Sequence, residues 1–146
     1  ETGEEAIRKF VGEGGGYVGI CAGAYIAPER VEVPGEPLGL GIIGIENIRK
    51  SGTGMRKIYL KEHPITRGLG KELEIYYQNG PEIVAGDNVE EVAAYESGKL
   101  AVVAASFGEG KVVCFSPHPE GSVTQGIKPE SETLKLLKNA LEFCQS

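Results

Sequence analysis

Residues 14–28 read GGGYVGICAGAYIAP, one cysteine set among five glycines and three alanines. Tyr17-Val18-Gly19-Ile20 is a short, nearly all-apolar run of the kind that forms a central parallel strand covered on both faces. Cys21 stands at its C-terminal end, and small residues follow until Pro28 halts any helix. The simplest reading is strand, sharp turn, short helix. Gly19-Ile20-Cys21-Ala22-Gly23 is then a G-x-C-x-G segment, the thiol counterpart of the G-x-S-x-G elbow. The turn strains the backbone at the central residue, so the positions two before and two after it must be small. Such a bend aims the amide of Ala22 and the start of the next helix at the sulfur, which favours thiolate and supplies one oxyanion donor. Two readings of Cys21 are open at this point, an exposed nucleophile or a buried small hydrophobe in a glycine-rich seam.

Outward from this stretch the pattern alternates. Thr2-Gly3-Glu4-Glu5 has the form of a capping box, and Ala6, Ile7, Phe10 and Val11 make one stripe of a helix that ends at the glycines after Glu13. Downstream, Gly39–Ile45 and Met55–Leu60 lean towards strand. Glu72–Tyr77, Val92–Tyr95, Leu100–Ser106 and Lys111–Ser116 read as four more strands, with Ser97-Gly98 and Gly108-Glu109-Gly110 as hairpin turns. Ser131–Cys144 reads as a closing helix capped by Ser131. Helices around a sheet give an α/β chain, and chemistry in such sheets gathers at the carboxyl ends of the strands. Cys21 falls there. So does Ser116–Glu120.

The 146 residues carry 15 Lys and Arg against 21 Asp and Glu, a net charge of −6, with the signs interspersed. No basic face for nucleic acid is present. The longest apolar runs fall far short of the roughly 20 residues that span a bilayer, and nothing reads as a secretory signal. Three widely spaced cysteines form neither a disulfide framework nor a CxxC pair, so a reducing cytoplasm is the expected compartment. His63 reads as a surface turn residue, Glu46 and Asn47 as solvated, Cys114 as core and Cys144 as packed on the closing helix. Neither metal nor cofactor is expected. Gly14-x-Gly16-x-x-Gly19 precedes a strand where a dinucleotide loop would follow one.

The second chemical feature is Val112-Val113-Cys114-Phe115-Ser116-Pro117-His118-Pro119-Glu120, a buried strand running into a loop with a His and a carboxylate two residues apart. A thiol nucleophile needs a base for its proton, and the base needs an acceptor on its other ring nitrogen. His118 and Glu120 are of those types, and the flanking prolines stiffen the loop. Tyr76-Tyr77-Gln78-Asn79-Gly80-Pro81 is either a tight turn that needs positive φ or a wall of the cleft contributed by Tyr77, Gln78 and Asn79.

GICAGAY together with SPHPE resembles the class I glutamine amidotransferase-like superfamily. The stretches GGGYVGICAGAYIA, HPITRGL, YYQNGPEI and FGEGKVVCFSPHPE resemble most its biotin-protein ligase N-terminal-like domain. The resemblance implies a flavodoxin-like three-layer sandwich with a largely parallel sheet, here as one domain over residues 1–146. It implies Cys21 as nucleophile, His118 as base and Glu120 as its orienter, acting on a small amide or peptide through a thioester, with Ala22, Gly23 and Tyr25 beside the substrate. Two departures stand out. Tyr25 occupies the position where glutaminases of this class carry Gln, and a phenol lacks the paired donor and acceptor of an amide. The superfamily's first strand and its Gly-rich oxyanion loop would lie upstream of Thr2, so the chain is read as N-terminally incomplete, a fragment or processed product whose sheet is completed by an upstream segment or a partner chain; a homo-oligomer also stays open. Two other functional readings accompany the amidotransferase-like one: a non-catalytic ligand-binding or subunit domain that retains the fold, and a peptidase-like thiol hydrolase.

Overall fold

The computed structural model describes residues 1–31, 38–121 and 132–146. Helix α1 (Gly3–Gly12) opens the chain, and its capping box forms as the sequence predicts: the Glu5 amide donates to Thr2 Oγ1 at 3.2 Å, and the Thr2 amide to Glu5 Oε2 at 3.1 Å. Strand β1 (Gly16–Ile20) and the five-residue helix α2 (Ala22–Ile26) follow. Then come β2 (Ile45–Ile48), β3 (Thr53–Leu60), a 3-10 turn (Pro64–Thr66), β4 (Glu72–Gln78), β5 (Glu82–Ala85), β6 (Glu90–Tyr95), β7 (Leu100–Phe107), β8 (Gly110–Phe115) and helix α3 (Glu132–Cys144). The expected cap at Ser131 lies outside the described residues.

The strands form one eight-stranded mixed sheet whose main path runs β1-β8-β7-β6-β3-β4, with β5 joining β7 and β2 joining β5. This corrects the expectation of a largely parallel sheet. Only β1 and β8 pair in parallel, Gly16 opposite Lys111 through Ile20 opposite Phe115, and the other described ladders are antiparallel. The reason is connection length. A parallel pair needs a crossover of a dozen residues or more, whereas the turns at Ser97-Gly98 and Gly108-Glu109 return the chain beside itself at once. The strand expected over Gly39–Ile45 is also displaced: β2 begins only at Ile45, while the amides of Leu40 and Ile42 donate to the carbonyls of Ile26 and Ala27. Strand β5 was not foreseen.

The layering agrees with the sequence. Along β8, Val113 and Phe115 face a cluster with Ile58, Ile75, Val102 and Leu136, whereas Val112 and Cys114 face Val11, Ala24, Ile42 and Ile83. The period of two thus feeds both faces of a strand buried on both sides. Helix α3 covers one face of β1 and β8, and α1 and α2 cover the other. Cys114 is fully buried, as read. His63 differs from its surface reading. Its side chain is 6% exposed, Nδ1 accepts the Ile65 amide at 3.1 Å, and Nε2 lies 2.5 Å from Glu90 Oε1.

Burial pushes the Cys114 thiol and the Tyr17 phenol each up to about 12, and raises the Tyr95 phenol as well. In the unfolded chain these groups ionise near their ordinary values of 9.0 and 10.0. Above those values the unfolded state has released protons that the folded state keeps, so stability is complete below about pH 9 and falls as pH rises towards 12. The urea midpoint should therefore be level around neutrality and decline through this window. Cys114→Val should make that decline shallower.

Candidate active site at the carboxyl ends of β1 and β8

The elbow at Cys21 is present. Cys21 has φ 53 and ψ −98, a positive φ that side-chain-bearing residues rarely adopt. Its amide still donates to Phe115 O at 2.8 Å, extending the parallel ladder, while its carbonyl already accepts the amides of Ala24 and Tyr25 at 3.0 Å each. One residue is thus both the last of a strand and the start of a helix. The steric demand is one-sided. A Cβ on Gly19 would sit 2.6 Å from Gly23 O and 2.7 Å from Tyr17 Cε1, whereas on Gly23 its nearest neighbour would be Tyr17 Oη at an ordinary 3.5 Å. The expectation that both positions must be small holds for Gly19 alone.

The electrostatics also differ from the expectation of a favoured thiolate. Half-burial of Cys21 raises its thiol, and the nearby Glu120 carboxylate raises it further against the Ala22 amide, which lowers it. Desolvation of the anion outweighs one hydrogen bond. Helix α2 has a single turn and little macrodipole to add. The Cys21 sulfur lies 3.3 Å from the Gln78 carbonyl oxygen, to which the thiol donates.

The second half of the site leaves the neighbouring strand. Ser116-Pro117-His118 continues from β8, and the His118 amide donates to Tyr76 O at 2.8 Å, so the loop is held against β4. Nδ1 of His118 lies 2.9 Å from Glu120 Oε2. With the ring proton on Nδ1 and donated to the carboxylate, Nε2 keeps its lone pair and can act as a base. Glu120 Oε1 is buried and has no partner among the described residues. Cys21 and the His118 loop therefore emerge from the same end of adjacent strands, with Glu120 close enough to act on the thiol.

The remaining sequence candidates divide. The Ala22 amide faces the sulfur. The Tyr25 hydroxyl donates to Asn79 O at 3.1 Å and accepts the Lys50 amide at 3.4 Å. Tyr77 is buried, donates to Gly80 O at 2.7 Å and packs edge-on against Tyr95. It lines a cavity of about 270 Å³ together with Lys50, Arg56, Glu82 and Tyr95. Gln78 contributes its backbone carbonyl to the thiol, and its side-chain Oε1 accepts the Tyr76 hydroxyl at 3.2 Å. The positive φ of the Asn-Gly turn falls on Asn79, at 57. Gly80 is required for space, since a Cβ there would meet Ser116 O at 2.0 Å.

Sequence reasoning missed Asn47. Read as solvated, it is 2% exposed, and its Nδ2 donates to Ala24 O at 2.9 Å, holding the elbow helix. Nothing in the apolar stretch around it marks it for that contact. The Ser116 hydroxyl, 2.7 Å from the Tyr95 hydroxyl in a buried pair, was also unforeseen.

Replacing the two elbow glycines separates their roles. Gly19→Ala should cost about 1–3 kcal/mol through overpacking. Gly23→Ala, inside a helix with room for the methyl, should be neutral or stabilising by up to about 1 kcal/mol. Urea unfolding of the two variants checks this.

Comparison with known proteins gives the same picture. The family model described as biotin-protein ligase, N terminal, matches residues 1–49. Imidazole glycerol phosphate synthase subunit HisH of Sulfurimonas denitrificans is 27% identical over 135 residues, covering 85% of this chain and 64% of that protein. The chain thus spans slightly less than two thirds of that relative. A glutamine amidotransferase from Thermotoga maritima superposes with TM-score 0.66 at 14% identity over 98% of this chain and 68% of that one. A further glutamine amidotransferase structure gives TM-score 0.62 at 26% identity over 94% and 67%. By fold the chain is similar to glutamine amidotransferases, and over its first third its sequence is similar to the biotin-protein ligase N-terminal family.

Proposed function

We propose that residues 1–146 work as one α/β domain that hydrolyses or transfers the acyl group of an amide, with Cys21 as nucleophile, His118 as base and Glu120 as its orienter. The observation that carries this reading is the His118–Glu120 contact beside a cysteine held at positive φ on the adjoining parallel strand. His118 Nε2 takes the thiol proton as the sulfur attacks the carbonyl carbon. The Ala22 amide donates to the oxyanion. His118 returns the proton to the leaving amine, leaving a thioester, and then draws a proton from water, whose attack releases the acid and restores the thiol. The substrate is a small amide, glutamine or a short peptide. Tyr25, bonded to Asn79 and Lys50, supplies no amide-like pair of donor and acceptor for glutamine.

A second oxyanion donor is brought by a strand that pairs along the outer edge of β1, from an upstream segment of the protein or from a partner chain. Among the described residues β1 pairs only with β8, and Phe10 and Ile7 of the overlying α1 are 62% and 37% exposed. An open parallel edge under an uncovered apolar stripe is what such a strand would cover. The cytoplasm is the compartment this reading assigns, in keeping with three free cysteines. No described helix is long and apolar enough to cross a membrane.

The alternative is a non-catalytic subunit or ligand-binding domain, and the raised Cys21 thiol is the observation that favours it. Turnover separates the two. In the complete protein, Cys21→Ala should abolish release of ammonia or amine from glutamine and peptide amides, and His118→Ala should lower kcat by about 10²–10⁴-fold. No turnover in the unmutated complete protein, with partner binding unchanged in Cys21→Ala, would leave only the subunit reading.

A further inference from the structure

Around the thiol, the hydrogen bonds form a chain that the proposed acyl transfer does not use. The Cys21 thiol donates to the Gln78 carbonyl at 3.3 Å. The next residue, Asn79, is tied at three points: its amide donates to Gly52 O at 2.9 Å, its Oδ1 accepts the Gly52 amide at 2.8 Å, and its carbonyl accepts the Tyr25 hydroxyl at 3.1 Å. Tyr25 belongs to the elbow helix itself, and its hydroxyl also accepts the Lys50 amide at 3.4 Å. The loop is thus closed. Cysteine and latch are the cap and a member of one five-residue helix, and the carbonyl that accepts the thiol hydrogen bond is fixed from the other side by that same helix.

We infer that Tyr25 is a positioning residue that, through Asn79, clamps the Gln78 carbonyl against the Cys21 sulfur and so holds the nucleophile as a neutral thiol until a substrate displaces that carbonyl. The inference rests on the reading of Cys21 as nucleophile. Its physical basis is the one-way character of the contact. A carbonyl oxygen accepts from S–H but repels S⁻, so the clamp stabilises only the protonated form. Of the other groups close enough to act on the thiol, the Glu120 carboxylate from the loop after β8 opposes the thiolate and the Ala22 amide favours it. Tyr25 of α2, Tyr77 of β4 and Tyr95 of β6 are near enough to couple to Cys21 but have their hydroxyls bonded elsewhere; the base His118 shares the loop with Glu120, and Arg49 lies near Tyr25. On this inference a substrate carbonyl reaches the sulfur by displacing the Gln78 carbonyl, so binding and unclamping coincide. This also gives a use to the tyrosine that stands where glutaminases of this class carry Gln.

Alkylation by iodoacetamide reads the clamp without turnover. In Tyr25→Phe the rate at Cys21 near pH 7 should rise about three- to ten-fold, as expected for release of one weak hydrogen bond to the neutral form, and the midpoint of the rate against pH should move down. Cys144, half-buried on α3 in the same molecule, serves as internal control and should keep its rate. Asn79→Gly, which retains the positive φ but loses Oδ1, should act in the same direction and gives the same readout if Tyr25→Phe folds poorly. An unchanged or slower Cys21 rate in a folded variant overturns the clamp. The enzymatic reading fails separately: if alkylation quickens while Cys21→Ala leaves amide turnover unchanged, the clamp stands and the nucleophile reading falls.

Discussion

The site depends on a strand that becomes a helix within one residue. A helix of five residues does not sustain itself in water, because nucleation costs more than one turn of hydrogen bonds returns. Here α2 is held from outside. The Tyr17 hydroxyl donates to Gly23 O at 2.7 Å, Asn47 Nδ2 to Ala24 O, and the amides of Leu40 and Ile42 to Ile26 O and Ala27 O. Those four bonds come from β1, from β2 and from the stretch between α2 and β2. They over-determine the helix, so Cys21 has no means of relaxing its φ of 53, a strain of the order of 1–3 kcal/mol. The geometry at Cys21 is in this sense a property of the whole α2 face of the sheet.

The His118 loop is held by different means. Strand β8 is buried on both faces, and just beyond it Ser116 is pinned by its amide to Ala101 O at 2.7 Å and by its hydroxyl to Tyr95. Gly80 packs directly against the Ser116 carbonyl, which draws the turn after β4 up to the end of β8. His118 then bonds backbone to backbone with Tyr76 on β4, its ring 6.0 Å from the Tyr76 ring. These contacts run to β4 and the turn after it, to β6 and to β7, of which only β7 neighbours β8 in sequence. The imidazole is therefore positioned by sheet closure, whereas the thiol is positioned by a local bend braced from outside.

This division explains what could be read from the sequence. The elbow, the capping box at Thr2, the hairpin turns, the two-faced burial of β8 and the His-x-Glu loop are local patterns, each decided within about ten residues, and each stands where the spacing puts it. Sheet order is not local. That β1 pairs with β8 in parallel while the intervening strands fold back on one another follows from long-range register that no window records. Asn47 is misread for the same reason, and the space demanded at Gly80 is not visible in its own stretch. The burial of Asn47 is set by Ala24, 23 residues away, and the requirement for Gly80 by Ser116, 36 residues away. The helix-dipole argument for a thiolate failed on magnitude, since one turn of helix does not offset desolvation and a neighbouring carboxylate.

Glu120 touches both halves of the site. Beside the sulfur, its carboxylate opposes the thiolate. At His118 it lies 2.9 Å from Nδ1, a contact that fixes the orientation of the ring and the tautomer it takes. On the proposed reading the Gln78 carbonyl acts on the sulfur in the same direction as Glu120, since it accepts from S–H and has nothing to accept from S⁻. Because the thiolate is the reactive form of a cysteine, a thiol held between that carbonyl and that carboxylate would stay inert towards stray electrophiles until a substrate carbonyl displaced the contact.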